Sequence, residues 1–233
     1  MNKFGEATPI SMLGLLEDAA ADHCQDIDYG LYKLLAQDIG WVLISGYMQI
    51  DRYPKYKEKI KIRTWLSKYK SIRGFRENVI YDEQEKVIGY AKGQWLFFDI
   101  KNRKPARIYP EIESRWDFFP EQCIEHDILQ RIEPLESAEN HSQFPVYGYD
   151  VDSNEHVNNL RYLQWLLETV PNDYTDKYFL HTIDGRFMAE AEFGHNVMSL
   201  TKPLEKDNCF IHTINDISAN KSCATAITNW RKR

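Results

Sequence analysis

Apolar positions in this 233-residue chain follow two rhythms, one helical and one alternating. From residue 11 to about 24, Met12, Leu13, Leu16, Ala19, Ala20 and His23 recur at helical spacing, with Pro9 and Ser11 as start signals. A short stretch follows with Leu31, Leu34 and Leu35 on one side. The rhythm then changes. Residues 41–50, 59–65, 74–81 and 87–100 are rich in Ile, Val, Tyr, Phe and Trp, and polar turns at 82–86 and 101–105 separate them. Strands joined by short turns predict an antiparallel sheet.

Residues 117–143 are polar, acidic and punctuated by proline, which predicts a connector. After it the pattern restarts with a short strand at 144–149 and a helix over 157–170. Leu160, Leu163, Leu166, Leu167 and Val170 trace the stripe of this helix, and Pro171 stops it. Strands are then predicted at 186–193, 197–201, 209–215 and 224–230. Two helix-plus-sheet units in tandem predict an α+β protein with internal duplication of architecture. The division expected is a first module over 1–130, a linker over 131–142 and a second module over 143–233.

Composition narrows the class. Hydrophobic residues make up 43% of the chain and aromatics 13%, as in a globular protein. No apolar run approaches the ~20 residues of a membrane span. The start, Met1-Asn2-Lys3-Phe4-Gly5-Glu6, lacks a basic segment followed by a long apolar block and does not read as a signal peptide. Cys24, Cys123, Cys209 and Cys223 show neither CxxC pairing nor metal spacing, so reduced thiols and a cytoplasmic setting are expected. A net charge of −6 argues against bulk attraction to nucleic acid.

The chemistry concentrates at 150–159, where Asp152, Asn154 and His156 stand two residues apart at the mouth of the predicted helix. Backbone N–H groups at a helix start lack partners and the dipole favours negative charge, which suits a developing oxyanion. Helix capping competes as a reading of Asp152, Asn154 and Asn158, and on spacing alone it is the stronger one. His156 taken alone reads as a hydrogen-bonded, half-buried residue. In a strand over 186–193, alternation sets Glu190 and Glu192 on one face, with Ala191 and Phe193 on the other. Lys55, Lys57, Lys59, Lys61 and Arg63 also alternate and would share a strand face, with Lys68, Lys70, Arg73 and Arg76 following. Such a stripe in an acidic protein steers an acidic partner, or discourages edge-to-edge pairing. His181, His195 and His212 have no ligand-like spacing and read as ordinary strand residues. Tyr162 and Trp165 read as packing.

The run Asp152-x-Asn154-x-His156-x-Asn158-Asn159-x-x-Tyr162-x-x-Trp165-x-x-Glu168-x-x-Pro171 resembles the signature of the acyl-acyl-carrier-protein thioesterases of plants and bacteria. Trp41-Val42-Leu43, Asp51-Arg52-Tyr53-Pro54, Thr64-Trp65, Gly74-Phe75-Arg76, Glu192-x-Gly194 and Asn229-Trp230-Arg231 resemble further landmarks of that family, in order. The resemblance implies a tandem hotdog, each module a long helix wrapped by an antiparallel sheet. It implies that the first module takes the acyl chain, with Leu13, Leu16, Trp41 and Met48 as lining candidates. The second module would supply Asp152 as base or nucleophile and Asn154 to orient it or the carbonyl. His156 would donate near the carbonyl or the leaving sulfur, and Glu192 would hold or activate water. With Glu192 and the full-length resemblance added, catalysis outweighs capping.

The implied reaction releases free fatty acid in fatty acid biosynthesis, without metal or organic cofactor. The implied partner is acyl carrier protein, met by Lys57, Lys59 and Lys61, and the chain would be a monomer or a homodimer with no membrane or nucleic-acid partner. A hydrolase of acyl-coenzyme A, or a catalytically silent acyl-binding protein, are the rival readings. Two departures stand out. The family often places a strand before helix one, where only about ten residues stand here, so the first module is open at that edge or the chain start is shortened. Phe193 occupies the place where plant members have a cysteine, which excludes a cysteine nucleophile there.

Overall fold

A capping box starts the first helix. The Thr8 hydroxyl accepts from the Ser11 N–H at 3.1 Å, and the Ser11 hydroxyl accepts from the Thr8 N–H at 2.8 Å. With Pro9 in the first turn, α1 runs Pro9–Asp26, longer at both ends than the periodicity predicts. Met12, Leu16 and Ala20, four residues apart, form its buried stripe. This computed structural model describes residues 1–152 and 157–233, in two compact units, Met1–Ile128 and Leu129–Arg233.

The first unit continues through α2 (Leu31–Leu35), β1 (Ile39–Ile50), β2 (Ile60–Lys70), β3 (Arg73–Asp82), β4 (Val87–Asp99), β5 (Lys104–Pro105) and α3 (Pro110–Glu113). Its antiparallel order is β2-β3-β4-β1, with β5 on β4. Gly89 allows β4 to lie against β1, since a Cβ there would stand 2.7 Å from the Gln49 carbonyl oxygen. The segment after α3, expected to be a connector, is bonded to the sheet over its first part. The Trp65 indole donates to Glu121 O at 2.9 Å, Lys92 Nζ to Gln122 Oε1 at 2.8 Å and the Cys123 N–H to Glu77 Oε2 at 3.2 Å. Buried polar groups demand partners, and the strap meets that demand for Glu77 and Lys92.

The second unit comprises β6 (Asn140–Pro145), a 3-10 turn (Gly148–Asp150), α4 (Asn159–Leu167), α5 (Asn172–Lys177), β7 (Tyr178–Phe187), β8 (Asn196–Pro203), β9 (Cys209–Asp216) and β10 (Lys221–Lys232). Its antiparallel order is β7-β10-β9-β8-β6. The α+β expectation is met. The second helix is shorter than predicted, because Asn158 caps it at one end and Glu168 closes it at the other. Two strands differ from the sequence reading. β6 lies earlier than 144–149 because, paired in this unit with β8 alone, it needs no apolar alternation. β7 ends at Phe187, where the N–H groups of Met188 and Ala189 both turn to Cys223 O at 2.8 and 3.3 Å. The predicted strand over 186–193 is therefore mostly a loop. Among the described residues no helix is long and apolar enough to cross a membrane.

His212 lies at the heart of the second sheet. Its Nδ1 pairs with Thr201 Oγ1 and its Nε2 with Thr228 Oγ1, each at 2.8 Å. Burial holds its pKa down at about 3, from an ordinary 6.5. The folded state thus refuses a proton that the unfolded chain accepts below 6.5. The stabilisation is complete above that value and falls by about 1.4 kcal/mol per pH unit toward 3. Urea midpoints taken between pH 7 and 4.5 are expected to show wild type losing its stability advantage over His212→Gln as pH drops. A constant gap would refute the assignment.

Candidate active site

The Asp152 loop is pinned at both ends. Val151 and Val157 form an isolated antiparallel bridge, and the Asn158 N–H donates to Asp150 O at 2.9 Å. The buried Asp150 carboxylate accepts from the Tyr147 N–H at 2.8 Å and meets Arg161 Nε of α4 at 3.2 Å. Asp152 is the first residue beyond this bridge and is half-buried. Asn154 and His156, the other two predicted groups of this loop, lie outside the described residues. Asn158 does what the capping reading expected of it: its Oδ1 accepts from the Leu160 N–H at 2.8 Å.

Glu192 sits in the loop between β7 and β8, not on a strand. The alternation that suggested a strand does not survive: Ala191 is inside, but Glu192 and Phe193 are both exposed. Ala191 is held by its N–H, which donates to the Tyr162 hydroxyl of α4 at 2.9 Å. The chain reverses at Phe193 and Gly194, whose φ of +82° is the left-handed conformation that glycine adopts without strain. Gly194 N–H then donates to Val146 O at 3.1 Å, and Val146 N–H to His195 O at 2.9 Å. These bonds hold the Glu192 loop against the chain that leads from β6 into the Asp152 loop. The tyrosine thus does more than pack.

The Glu192 carboxylate is 63% exposed and stands 3.7 Å from Lys221 Nζ and 4.0 Å from His195 Nε2. His195, read from sequence as an ordinary strand residue, is held on its other side by the fully buried Asp216, 2.8 Å from Nδ1. Asp216 Oδ1 accepts from the N–H groups of Ser218 and Ala219, each at 3.0 Å. Nδ1 thus faces the Asp216 carboxylate and Nε2 faces Glu192. A 4.0 Å gap is too long for a direct hydrogen bond and suits one bridging water. Spacing concealed this set, because the Val197↔Asp216 register, which brings His195 beside Asp216, is a property of the sheet.

In the first unit an apolar cavity of about 150 Å³ lies between α1, α2 and the sheet. Of the predicted lining residues, Trp41 borders it. Leu16 and Met48 are buried in the core instead, and Leu13 is half-buried. The basic stripe is shorter than predicted. β2 begins at Ile60, so Lys55 and Lys57 lie in the preceding turn, where Lys57 has a φ of 66°. Glu58 closes that turn by accepting from the Lys55 N–H at 2.9 Å, and Arg52 lowers its pKa to about 2. Lys59, Lys61 and Arg63 do share an exposed face, on which Lys61 meets Glu85 at 3.0 Å. Arg76 is not part of it: it points inward and is buried. Among the described residues no cluster of His, Cys, Asp or Glu is arranged to hold a metal ion.

Residues 5–116 match the acyl-ACP thioesterase N-terminal domain, and residues 133–232 match the acyl-ACP thioesterase C-terminal domain. A chloroplastic oleoyl-acyl carrier protein thioesterase of Coriandrum sativum is 24% identical over 237 residues, covering 94% of this chain and 64% of that protein. The chain therefore spans less than two thirds of that relative's length. An acyl-ACP thioesterase from Bacteroides thetaiotaomicron superposes with a TM-score of 0.87 at 22% identity, covering 99% of this chain and 93% of that one. The 12:0-ACP thioesterase from Umbellularia californica gives 0.88 at 17% identity, covering 100% and 93%. The two solved structures establish the expected tandem hotdog fold.

The Tyr162 anchor carries a stability consequence. Tyr162→Phe leaves the buried Ala191 N–H without its acceptor, which costs about 1–3 kcal/mol. The urea midpoint should fall at unchanged m-value, and exchange of the Ala191 amide should accelerate. An unaltered midpoint would show that the loop is held by other means.

Proposed function

The chain belongs to the acyl-ACP thioesterase family, and from that premise we propose that it hydrolyses the thioester of an acyl-acyl carrier protein and releases the free fatty acid. The observation that carries this reading is the bonding of the Glu192 loop to the segment leading into the Asp152 loop, through Val146 on one side and Tyr162 on the other. The catalytic set is Asp152, Asn154, His156 and Glu192, and the Asp216–His195 pair is added to it as a positioning element. A water in the gap between Glu192 Oε2 and His195 Nε2 is positioned by His195 and gives up a proton to the Glu192 carboxylate. Its oxygen adds to the thioester carbon, the carbon–sulfur bond breaks, and the sulfur leaves as a thiolate that takes up a proton. Asp152 supplies the second carboxylate, as base or nucleophile. Asn154 orients it, and His156 donates near the carbonyl or the leaving sulfur. The first unit takes the acyl chain in its apolar cavity.

The carrier is proposed to dock through Lys57, Lys59 and Lys61. Acyl carrier protein is acidic, and an exposed basic set raises the rate of encounter with an acidic partner. The Lys61–Glu85 pair is exposed at both ends and is worth little, so the lysine can exchange partners.

Loss of a positioned acid or base typically costs 10²–10⁴-fold in rate, and Asp152→Asn and Glu192→Gln should each lower kcat by roughly that range. Near-wild-type turnover in either variant would sink the mechanism. His195→Gln is expected to lower kcat more than it changes KM. Replacing Lys57, Lys59 and Lys61 together by Glu should raise KM for acyl-carrier-protein substrate relative to a small acyl thioester. A parallel change in both would refute docking at this face.

A further inference from the structure

The cavity of the first unit contains a charge that hydrolysis of a plain acyl chain does not require. Ala21, Trp41, Leu66, Trp95 and Trp116 give it apolar walls, and Arg76 borders it. Arg76 is only 5% exposed. Its Nη1 donates to Thr64 Oγ1 at 2.9 Å and to His23 Nδ1 at 3.0 Å. Neither partner is an anion: burial and Arg76 itself lower the His23 pKa, so the imidazole is the neutral acceptor. The nearby Cys24 thiol is pushed up by burial and stays protonated. Glu17 also borders the cavity, but among the described residues Arg76 forms no ion pair.

A guanidinium carries five N–H donors in a fixed fork, and the two bonds from Nη1 leave the rest of the fork unmatched. An uncompensated buried charge is costly, and an anion arriving in the cavity would relieve it. Two more buried donors lack a hydrogen-bond partner. They are the indole N–H of Trp116, whose side chain lines the cavity, and the hydroxyl of Tyr69, whose ring lies 5.7 Å from that of Trp116. Native structures rarely leave such groups orphaned.

We propose that this cavity is a subsite for a short aliphatic chain that bears a carboxylate, with the anion on the Arg76 fork and the methylenes against the tryptophans. A space of about 150 Å³ holds a benzene-sized group of roughly six non-hydrogen atoms, and the cavity is half open, so the remaining atoms of a short chain can extend out of it. The carboxylate has two possible sources. One is a free fatty acid that enters head first. The other is an acyl thioester that carries a second carboxyl at its far end. The subsite rests on the hydrolase reading only for the second source.

Binding of hexanoate and of 1-hexanol to the full chain, followed by tryptophan fluorescence and calorimetry, tests the subsite without any catalysis. A charge-assisted contact should make hexanoate bind about tenfold or more tighter than the alcohol. Arg76→Gln should abolish that preference, and Arg76→Lys should keep part of it. Equal binding of the two ligands by wild type would overturn the proposal, whether or not the variants fold. Retained preference in a folded Arg76→Gln protein would overturn it as well. The source is read from kcat/KM for hexanoyl and 5-carboxypentanoyl thioesters on the same carrier. Faster turnover of the second identifies a carboxylated substrate, and equal turnover with hexanoate bound identifies the free acid. If neither thioester is hydrolysed, the hydrolase reading fails while the binding comparison still decides the subsite.

Discussion

Consecutive residues of β3 bury opposite charges on opposite faces of one sheet. Arg76 and Glu77 are 5% and 1% exposed, and strand alternation sends the first toward α1 and the second toward the strap that follows α3. Neither can reach water, so each must find partners in the chain. Glu77 finds Ser67 Oγ at 3.0 Å, Cys123 N at 3.2 Å and Lys92 Nζ at 3.9 Å. Removing one member of such a set leaves the other charge buried and alone, at a cost of about 3–5 kcal/mol. The strap, the sheet and the floor of the cavity are therefore bound together by the demands of one strand.

One buried network of the second unit solves the same problem without charge. Thr169, Ser199, Thr201, His212 and Thr228 are buried in a chain of hydroxyls and one neutral imidazole. The Trp230 indole closes the chain on Thr228 at 3.0 Å. A satisfied polar network of this kind rigidifies a core and fixes strand register. Rigidity there matters for the rim, because β8 and β9 of that network also carry the register that sets His195 beside Asp216. The candidate carboxylates stand on loops, but the loops hang from ordered elements.

Much of this was legible in the chain, and the failures have physical causes. The helical stripes of α1 and α4 were visible because each helix buries one face. The strand expected over 186–193 failed because the ladder with β10 stops at Phe187, and an apolar pattern in sequence does not show where hydrogen bonding ends. The basic stripe failed at Lys55 and Lys57 because Glu58 folds that segment into a turn. Arg76 looked like one more surface cation, since nothing local reveals which face of a strand will be covered. His195 was passed over because its partner is 21 residues away and arrives only through sheet pairing. Asp152 and Glu192 were nameable from the resemblance, whereas the bonds that tie their loops together were not.

The strap over Glu77 also bears on where the polypeptide can be divided. The N-terminal family match ends at residue 116, yet the compact unit runs on to Ile128, and the added residues include those that accept from Lys92 and donate to Glu77. A crossover between homologues at 116 would graft a foreign strap onto a strand whose carboxylate and ammonium were matched to the original one. A crossover after 128 carries the matched pair across intact. For this chain the inheritable module is the sheet together with its cover, and the seam lies a dozen residues beyond the end of the N-terminal family match.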